Sequence, residues 1–174
     1  MAIRTIVQDG DPILKKVCRP VTKFDDRLGT LLDDMQETLR QAEGYGLAGP
    51  QVGVMRRVFI SIDEREAPLD ENGEIQEGWV APMLEFINPE ILDSSKETET
   101  LYEGCLSFPG HNAAITRPHK VTVKAQDRSG NWFTLEAEGM LARCICHENN
   151  HLDGITIMDL AESFYEDDYP DGEE

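Results

Sequence analysis

Residues 139–151, Gly-Met-Leu-Ala-Arg-Cys-Ile-Cys-His-Glu-Asn-Asn-His, decide both the fold and the chemistry expected of this chain. We predict a helix over this stretch, with Gly154 as its C-terminal cap. His147 and His151 share one face of that helix, about 6 Å apart along its axis, so both imidazoles can converge on one metal ion. Glu148 follows the first histidine and can approach a water on the metal without binding the ion itself. The stretch therefore predicts a metal site on a helix.

Two neutral histidines need at least one further ligand before they form a metal site. Ile157 stands where a longer HExxHxxGxxH motif would supply that ligand, and its side chain cannot bind metal. Glu162 and Glu166 are downstream candidates, whereas Cys105 offers a thiolate upstream, within the segment 103–107 (Glu-Gly-Cys-Leu-Ser). Two histidines and one cysteine, with a fourth position left to water, are typical of a catalytic rather than a structural site.

Other interpretations of these residues stay open at this stage. Both histidines also fit an amphipathic helix that buries them, and Cys105 alone fits a small buried hydrophobe. Cys144 raises the alternative of a closed structural zinc site with four protein ligands. However, Cys144 and His151 lie about 10.5 Å apart along the helix axis, so we expect Cys144 to line the site rather than bind the metal.

Outside this helix the sequence predicts a mixed α+β fold. Residues 25–42 repeat apolar side chains at spacings of three and four, which predicts an amphipathic helix near the N-terminus that ends at Gly44 and Gly46. A glycine-rich loop over 43–53 and a long polar surface loop over 63–82 are also expected. Predicted strands cover residues 57–62, 84–92, 121–125 and 132–135, the last two as a hairpin. We expect antiparallel strands packed around a central helix that carries the histidines.

Length and composition limit the classes of protein to consider. A chain of 174 residues is the size of one domain, predicted over 1–165, with an acidic, disordered tail over 166–174. A formal charge of −18 argues against direct nucleic-acid or membrane binding and favours a monomer. No secretion signal or bilayer-spanning run is visible, so a cytoplasmic protein is expected. Four irregularly spaced cysteines are expected as free thiols or metal ligands.

Three motifs together make the chain similar to bacterial peptide deformylases. They are residues 44–51 (Gly-Tyr-Gly-Leu-Ala-Gly-Pro-Gln), 103–107 and 147–151, in the order of the family, and the resemblance runs from about residue 3 to residue 159. It implies a hydrolase that removes the formyl group from N-formylmethionine of nascent polypeptides. Transient proximity to the ribosome follows from that substrate.

The resemblance also implies a metal centre. Cys105, His147 and His151 would hold one divalent ion, commonly Fe²⁺ in the family. Zn²⁺, Ni²⁺ and Co²⁺ also suit thiolate and imidazole ligands, so the sequence leaves the metal open.

Catalytic and substrate-binding roles follow from the same resemblance. Glu148 would act as general acid and base toward the metal-activated water. The Gln51 side-chain amide and the Leu106 backbone N–H would stabilise the developing oxyanion. The residues expected to bind the substrate are Tyr45, Gly46, Gly104, Met140 and Cys144.

Departures from the family pattern keep alternative functions open. Gly49 stands where alanine is frequent and is expected to loosen the loop that carries Gln51. Asn112 stands where some members have an arginine that helps to bind the peptide, while Arg117 matches a basic position of the family. The alternatives are a deformylase-like hydrolase or metallopeptidase with another acyl-amide substrate, and a non-catalytic metal-binding relative.

Overall fold

The structure is a computed structural model that describes residues 1–165. The acidic tail expected over 166–174 lies outside the described residues. Within 1–165, no helix is both long and apolar enough to span a bilayer. The mixture of helices and antiparallel strands confirms the predicted α+β class. The elements are α1 (Asp26–Ala42), β1 (Gly46–Ala48), β2 (Val58–Ile62), β3 (Met83–Ser94), β4 (Thr98–Glu103), β5 (Ala113–Pro118), β6 (Lys120–Gln126), β7 (Trp132–Glu138), α2 (Gly139–Leu152), α3 (Ile157–Leu160) and β8 (Ser163–Phe164).

Helix α1 confirms the predicted N-terminal helix to within one residue. It begins after Asp25, whose carboxylate accepts a hydrogen bond from the Leu28 amide and so caps the helix. The predicted end at a glycine is wrong, because Glu43 itself adopts the left-handed conformation, with φ 54°, that closes the helix. The predicted loop over 43–53 contains strand β1 and a 3₁₀ turn over Gly49–Val52.

The strands form two antiparallel sheets. One sheet has the order β1-β2-β3-β6-β7 and contains all the predicted strands, including the β6–β7 hairpin. The second sheet, β4-β5-β8, was not predicted. Strand β4 is exposed over all its residues except Glu103, so it lacks the apolar alternation that indicates a half-buried strand.

Apolar side chains on both faces of the five-stranded sheet fix the two long helices. Successive residues of a strand point to opposite faces. Phe59 therefore faces α2, where its ring stacks on Phe86 with 4.7 Å between centroids, while Val58 and Ile60 pack with the apolar face of α1. The sheet thereby holds α2 at a fixed position, with its opposite side turned toward the second sheet.

The N-terminal segment is tied to α1 through one buried carboxylate. Asp34 accepts hydrogen bonds from the Ala2 amide (2.8 Å) and from Arg4 Nε (3.1 Å). The Ala2 N–H and the Arg4 guanidinium stabilise the charged form and lower the pKa of Asp34 below its ordinary value of 3.8.

Asp34→Asn is expected to destabilise the protein at neutral pH and to matter less in acid. A lowered pKa in the folded state contributes stability above the unfolded pKa, and that contribution is lost as the pH falls through the folded value. Urea unfolding at pH 7 and at about pH 3 measures the difference from wild type. Glu37→Gln, also on α1, is the control, and an Asp34→Asn deficit that stays the same at both pH values would contradict the prediction.

Candidate active site

Two elements bring the three predicted metal ligands together. Cys105 follows the end of β4, whereas His147 and His151 lie one turn apart on α2. One ligand atom from each residue lies within 4.8 Å of the other two, and Cys105 Sγ is 3.4 Å from His151 Nε2. Among residues 1–165 this is the one such group of histidine, cysteine and acidic side chains.

The group suits a divalent transition metal. One thiolate and two imidazoles are ligands that Fe, Zn, Ni and Co accept, and three protein ligands leave a coordination position for water or substrate. Glu162, the alternative third ligand within the described residues, is not part of the group and instead accepts a hydrogen bond from Thr116 Oγ1 at 2.7 Å. The four-ligand alternative is also unsupported, because Cys144 is not in the group.

A buried carboxylate, Glu103, stands behind the first histidine. Its Oε1 lies 2.8 Å from His147 Nδ1, which leaves Nε2 of the same ring for a metal ion. Arg117 makes a two-point ion pair with Glu103, with distances of 2.6 and 2.9 Å, and Arg143 adds a third contact of 2.6 Å. Burial raises the pKa of Glu103, but the bonds from His147 and Arg117 outweigh it and hold that pKa at about 2.

Sequence reasoning missed this network. The sequence indicates Arg117 only as a basic position of the family, whereas in the structure it is 5% exposed and donates hydrogen bonds to Glu103 and Asn150. Arg143 has no role in the site predicted from the sequence. The signal that could have found it is its position one helical turn before His147, on the same face of α2.

The two histidines differ in their electrostatic surroundings. Burial lowers the pKa of His147, but hydrogen bonds with Cys105 and Glu103 outweigh burial and raise that pKa to about 10. Burial and the positive charges of His147 and Arg117 hold the pKa of His151 well below 6.5. A proton and a metal ion therefore compete for the imidazole of His147, so metal loading is expected to release protons.

Glu148 is a buried carboxyl group next to the three ligands. Its side chain is almost inaccessible, with Oε1 3.9 Å from His147 Nε2. Oε2 has no hydrogen-bond partner among the described residues. Burial raises the pKa of Glu148 to about 7, and the nearby negative charge of Glu103 adds to that rise. A carboxyl group with a pKa near neutrality can both accept and return a proton.

The 3₁₀ turn Gly49–Val52 carries Gln51, which lines the same site. Gln51 Oε1 accepts a hydrogen bond from the Ala48 amide at 2.9 Å, which fixes the orientation of the side-chain amide. Nε2 then points to Ser107 Oγ at 3.1 Å and to Cys105 Sγ at 3.5 Å. The amide donor therefore lies beside the predicted metal ligands.

Gly49 makes this turn tight rather than loose, so the expectation of a looser loop is wrong. A Cβ atom at Gly49 would lie 2.8 Å from the backbone oxygens of both Val54 and Arg56. Glycine thus allows a close backbone approach that alanine would disturb. Asn112 faces Gly104, where a Cβ would lie 3.3 Å from Asn112 Oδ1.

A cleft of about 330 Å³ connects these groups. A larger surface cavity, of about 770 Å³, lies along β3, β6 and β7 and contains none of the predicted site residues. The cleft brings together every predicted catalytic, metal-binding and substrate-binding residue except His151, which is buried. Its walls are formed by Gly44, Tyr45, Gly46, Gln51, Tyr102, Glu103, Gly104, Cys105, Leu106, Met140, Arg143, Cys144, His147 and Glu148.

Gly46→Ala is expected to lower kcat/KM by about 10²-fold, because displacing catalytic groups by an ångström costs that much. A Cβ at position 46 would lie 2.7 Å from Cys144 Sγ and 2.8 Å from Glu148 Oε1. Steady-state kinetics measure the effect. Gly29→Ala is the control, because a Cβ at that position of α1 meets no atom within 4 Å. Equal kinetics for both variants would show that the backbone at Gly46 has room for a side chain.

Comparison with known proteins agrees with the geometry. The family model for polypeptide deformylase matches residues 3–166. A peptide deformylase of Natranaerobius thermophilus is 45% identical over 168 residues, which cover 97% of this chain and 98% of that protein. One from Caldicellulosiruptor bescii is 47% identical over 159 residues, 91% of this chain and 86% of that protein.

Solved structures lead to the same family. The crystal structure of peptide deformylase from Thermotoga maritima superposes with a TM-score of 0.82 at 37% identity, covering 94% of this chain and all of that one. A peptide deformylase from Legionella pneumophila gives 0.79 at 38% identity, over 92% of this chain and 87% of that one. The match of sequence and fold over nearly the whole chain means that the protein belongs to the polypeptide deformylase family.

Proposed function

We propose that this chain removes the formyl group from N-formylmethionine at the start of nascent polypeptides by metal-assisted hydrolysis. One observation carries the proposal: in a chain of this family, the thiol of Cys105 and the imidazoles of His147 and His151 converge within 4.8 Å. The buried carboxyl group of Glu148 lies next to them and lines the cleft.

Cys105, His147 and His151 would hold the metal, and we propose Fe²⁺, with Zn²⁺, Ni²⁺ or Co²⁺ as substitutes. When bound, the ion lowers the pKa of water and polarises the formyl carbonyl group. Glu103 orients His147 through its bond to Nδ1. Because the Glu103 carboxylate is held ionised, it keeps that ring in the tautomer whose Nε2 faces the cleft.

Glu148 acts as the general acid and base. Its unpartnered Oε2 is free to accept a proton from the attacking water, and the same carboxyl group then delivers that proton to the leaving amine. Burial keeps its pKa near neutrality, so neither the uptake nor the release of the proton is strongly unfavourable.

Gln51 and Leu106 stabilise the negative charge that develops on the formyl oxygen. The bond from Ala48 to Gln51 Oε1 holds the amide so that Nε2 donates into the site. Leu106 lines the cleft next to Cys105, and we propose its backbone N–H as the second donor. Losing one such donor typically costs about 10²- to 10³-fold in rate.

The methionine side chain of the substrate is proposed to lie among Tyr45, Met140 and Cys144, which present apolar and polarizable groups to the cleft. Gly46 and Gly104 both line the cleft and let the substrate backbone approach closely. This arrangement favours a thioether side chain next to the scissile formyl group.

Several wider features belong to the same proposal. Residues 1–165 form a single catalytic domain, with α2 as its central helix, which the match over 3–166 supports. The enzyme works as a cytoplasmic monomer that meets nascent chains near the ribosome without binding nucleic acid. Its net charge of −18 supports the proposal that it does not bind nucleic acid.

Turnover of formyl-Met-Ala-Ser by protein prepared and assayed anaerobically with Fe²⁺ tests the proposal. Acetyl-Met-Ala-Ser is the control substrate. Rapid release of formate with little hydrolysis of the acetyl peptide is expected. Hydrolysis of the acetyl peptide at a similar rate would favour a hydrolase of other acyl amides, and a stoichiometric metal without turnover of either peptide would favour a non-catalytic metal-binding protein.

A further inference from the structure

The three metal ligands come from two separate elements, and the alignment of those elements decides the shape of the site. Cys105 follows β4 of the second sheet, whereas both histidines are on α2. Helix α2 shares its apolar core with the five-stranded sheet, not with β4. Polar side chains that bridge α2 and β4 therefore help to set the distance between Cys105 and the histidines.

Arg143 makes these bonds from the helix side. Its Nη1 donates to Glu103 Oε2 at 2.6 Å and to the Ile115 carbonyl oxygen at 3.0 Å. Its Nη2 donates to the Glu99 carbonyl oxygen at 2.8 Å. The residue is 4% exposed. One guanidinium on α2 thus bonds to β4 at both ends of that strand and to the neighbouring β5.

Glu103 links the same network to the metal site. Each of its two oxygens accepts two hydrogen bonds, Oε1 from His147 and Arg117 and Oε2 from Arg117 and Arg143. A carboxylate has about four lone-pair positions, so all are used. Without Arg143, Oε2 keeps only its bond from Arg117, so we expect the carboxylate, and with it the His147 ring, to be held less tightly.

We propose that Arg143 is a positioning residue of the metal site. It holds α2 against β4 so that Cys105 and the two histidines meet, and it fixes the Glu103 carboxylate that orients His147. This inference rests on the proposed function, because it assumes that these three residues bind the catalytic metal. Arg143 lines the cleft, but in this role it acts through Glu103 and β4 rather than on the reacting atoms.

A purely structural role for Arg143 makes a different prediction. Removing one partner of a buried ion pair lowers the stability of a protein, wherever in the fold the pair lies. In that case an Arg143 variant would unfold more easily but would bind metal like the wild type once folded. Metal affinity and the spectrum of the bound metal therefore separate the two roles, and activity is not needed for the comparison.

Co²⁺ is the probe, because its absorption spectrum reports the thiolate ligand and the coordination geometry. Arg143→Met removes the charge and the fork of donors, and Arg143→Lys keeps the charge but not the planar fork. Affinity is measured by competition with a chelator at a temperature where circular dichroism shows each variant folded. Arg128→Met is the control, because Arg128 joins Asp33 of α1 to Glu85 of β3 by ion pairs of 3.0 and 2.6 Å and is not among the residues that line the cleft.

Loss of a residue that orients a metal ligand typically weakens metal binding about 10- to 100-fold. We expect a loss in that range and an altered Co²⁺ spectrum for both Arg143 variants, with wild-type values for Arg128→Met. If Arg143→Met does not fold, Arg143→Lys decides the question. Wild-type affinity and spectrum in Arg143→Lys, or an equal loss in Arg128→Met, would overturn the proposal. Turnover of formyl-Met-Ala-Ser by the wild type tests the proposed function separately.

Discussion

Glu148→Gln is expected to keep its metal ion and to lose about 10³-fold in kcat, within the range that general acid–base catalysis contributes. The amide is nearly isosteric with the carboxyl group, so the packing around this buried side chain changes little. It cannot accept a proton from water or return one to the leaving amine. Burial raises the pKa of Glu148 to about 7, so the substitution also removes a costly buried charge and is not expected to lower stability.

Three measurements check this expectation: kcat on formyl-Met-Ala-Ser, metal content per chain, and the midpoint of thermal unfolding. Glu162→Gln is the control, since that glutamate is bonded to Thr116 and lies outside the ligand group. An active Glu148→Gln enzyme with full metal content would mean that another group moves the proton.

Cys105→Ser is expected to weaken metal binding by more than about 100-fold, because a direct ligand matters more than the residues that orient one. Serine replaces a thiolate by a hydroxyl that is not ionised at neutral pH, so one of the three ligands is lost. The folded structure should remain, since Cys105 is only half-buried at the edge of a small apolar cluster. Activity is expected to fall with metal content.

Metal content after gel filtration and titration with Co²⁺ measure the effect. Cys144→Ser is the matched control, because Cys144 lines the cleft but is not in the ligand group. We expect Cys144→Ser to retain its metal. Stoichiometric metal in Cys105→Ser would exclude Cys105 as a ligand. Loss of metal in Cys144→Ser alone would mean that Cys144 is the ligand and that Cys105 only lines the cleft.

Periodicity and spacing were enough to predict the elements with a strong local signal. Helix α1 and the β6–β7 hairpin follow from apolar repeats and from turn residues, which act over a few neighbouring positions. The ligand group follows from spacing as well, since His147 and His151 must share a helix face. Cys105 needed more than spacing, because its distance from the helix depends on the whole fold.

The features that escaped prediction depend on contacts between distant parts of the chain. Strand β4 is polar and exposed, and its pairing with β5 becomes visible only in three dimensions. Glu43 closes α1 in a conformation that is usual for glycine, although two glycines follow nearby. The ion pairs of Arg117 and Arg143 with Glu103 join residues 14 and 40 positions apart, and no local pattern marks them.

The distribution of cysteines offers a way to measure which fraction of a purified sample has lost its metal ion. Cys18, Cys144 and Cys146 are buried, and burial raises the pKa of each thiol, which makes them poor nucleophiles. Cys105 alone is partly accessible, and a bound metal would occupy its sulfur. Brief alkylation of the native protein, read by mass spectrometry, should therefore add one label to metal-free molecules and none to loaded ones, so that the labelled fraction counts the molecules that have lost their ion.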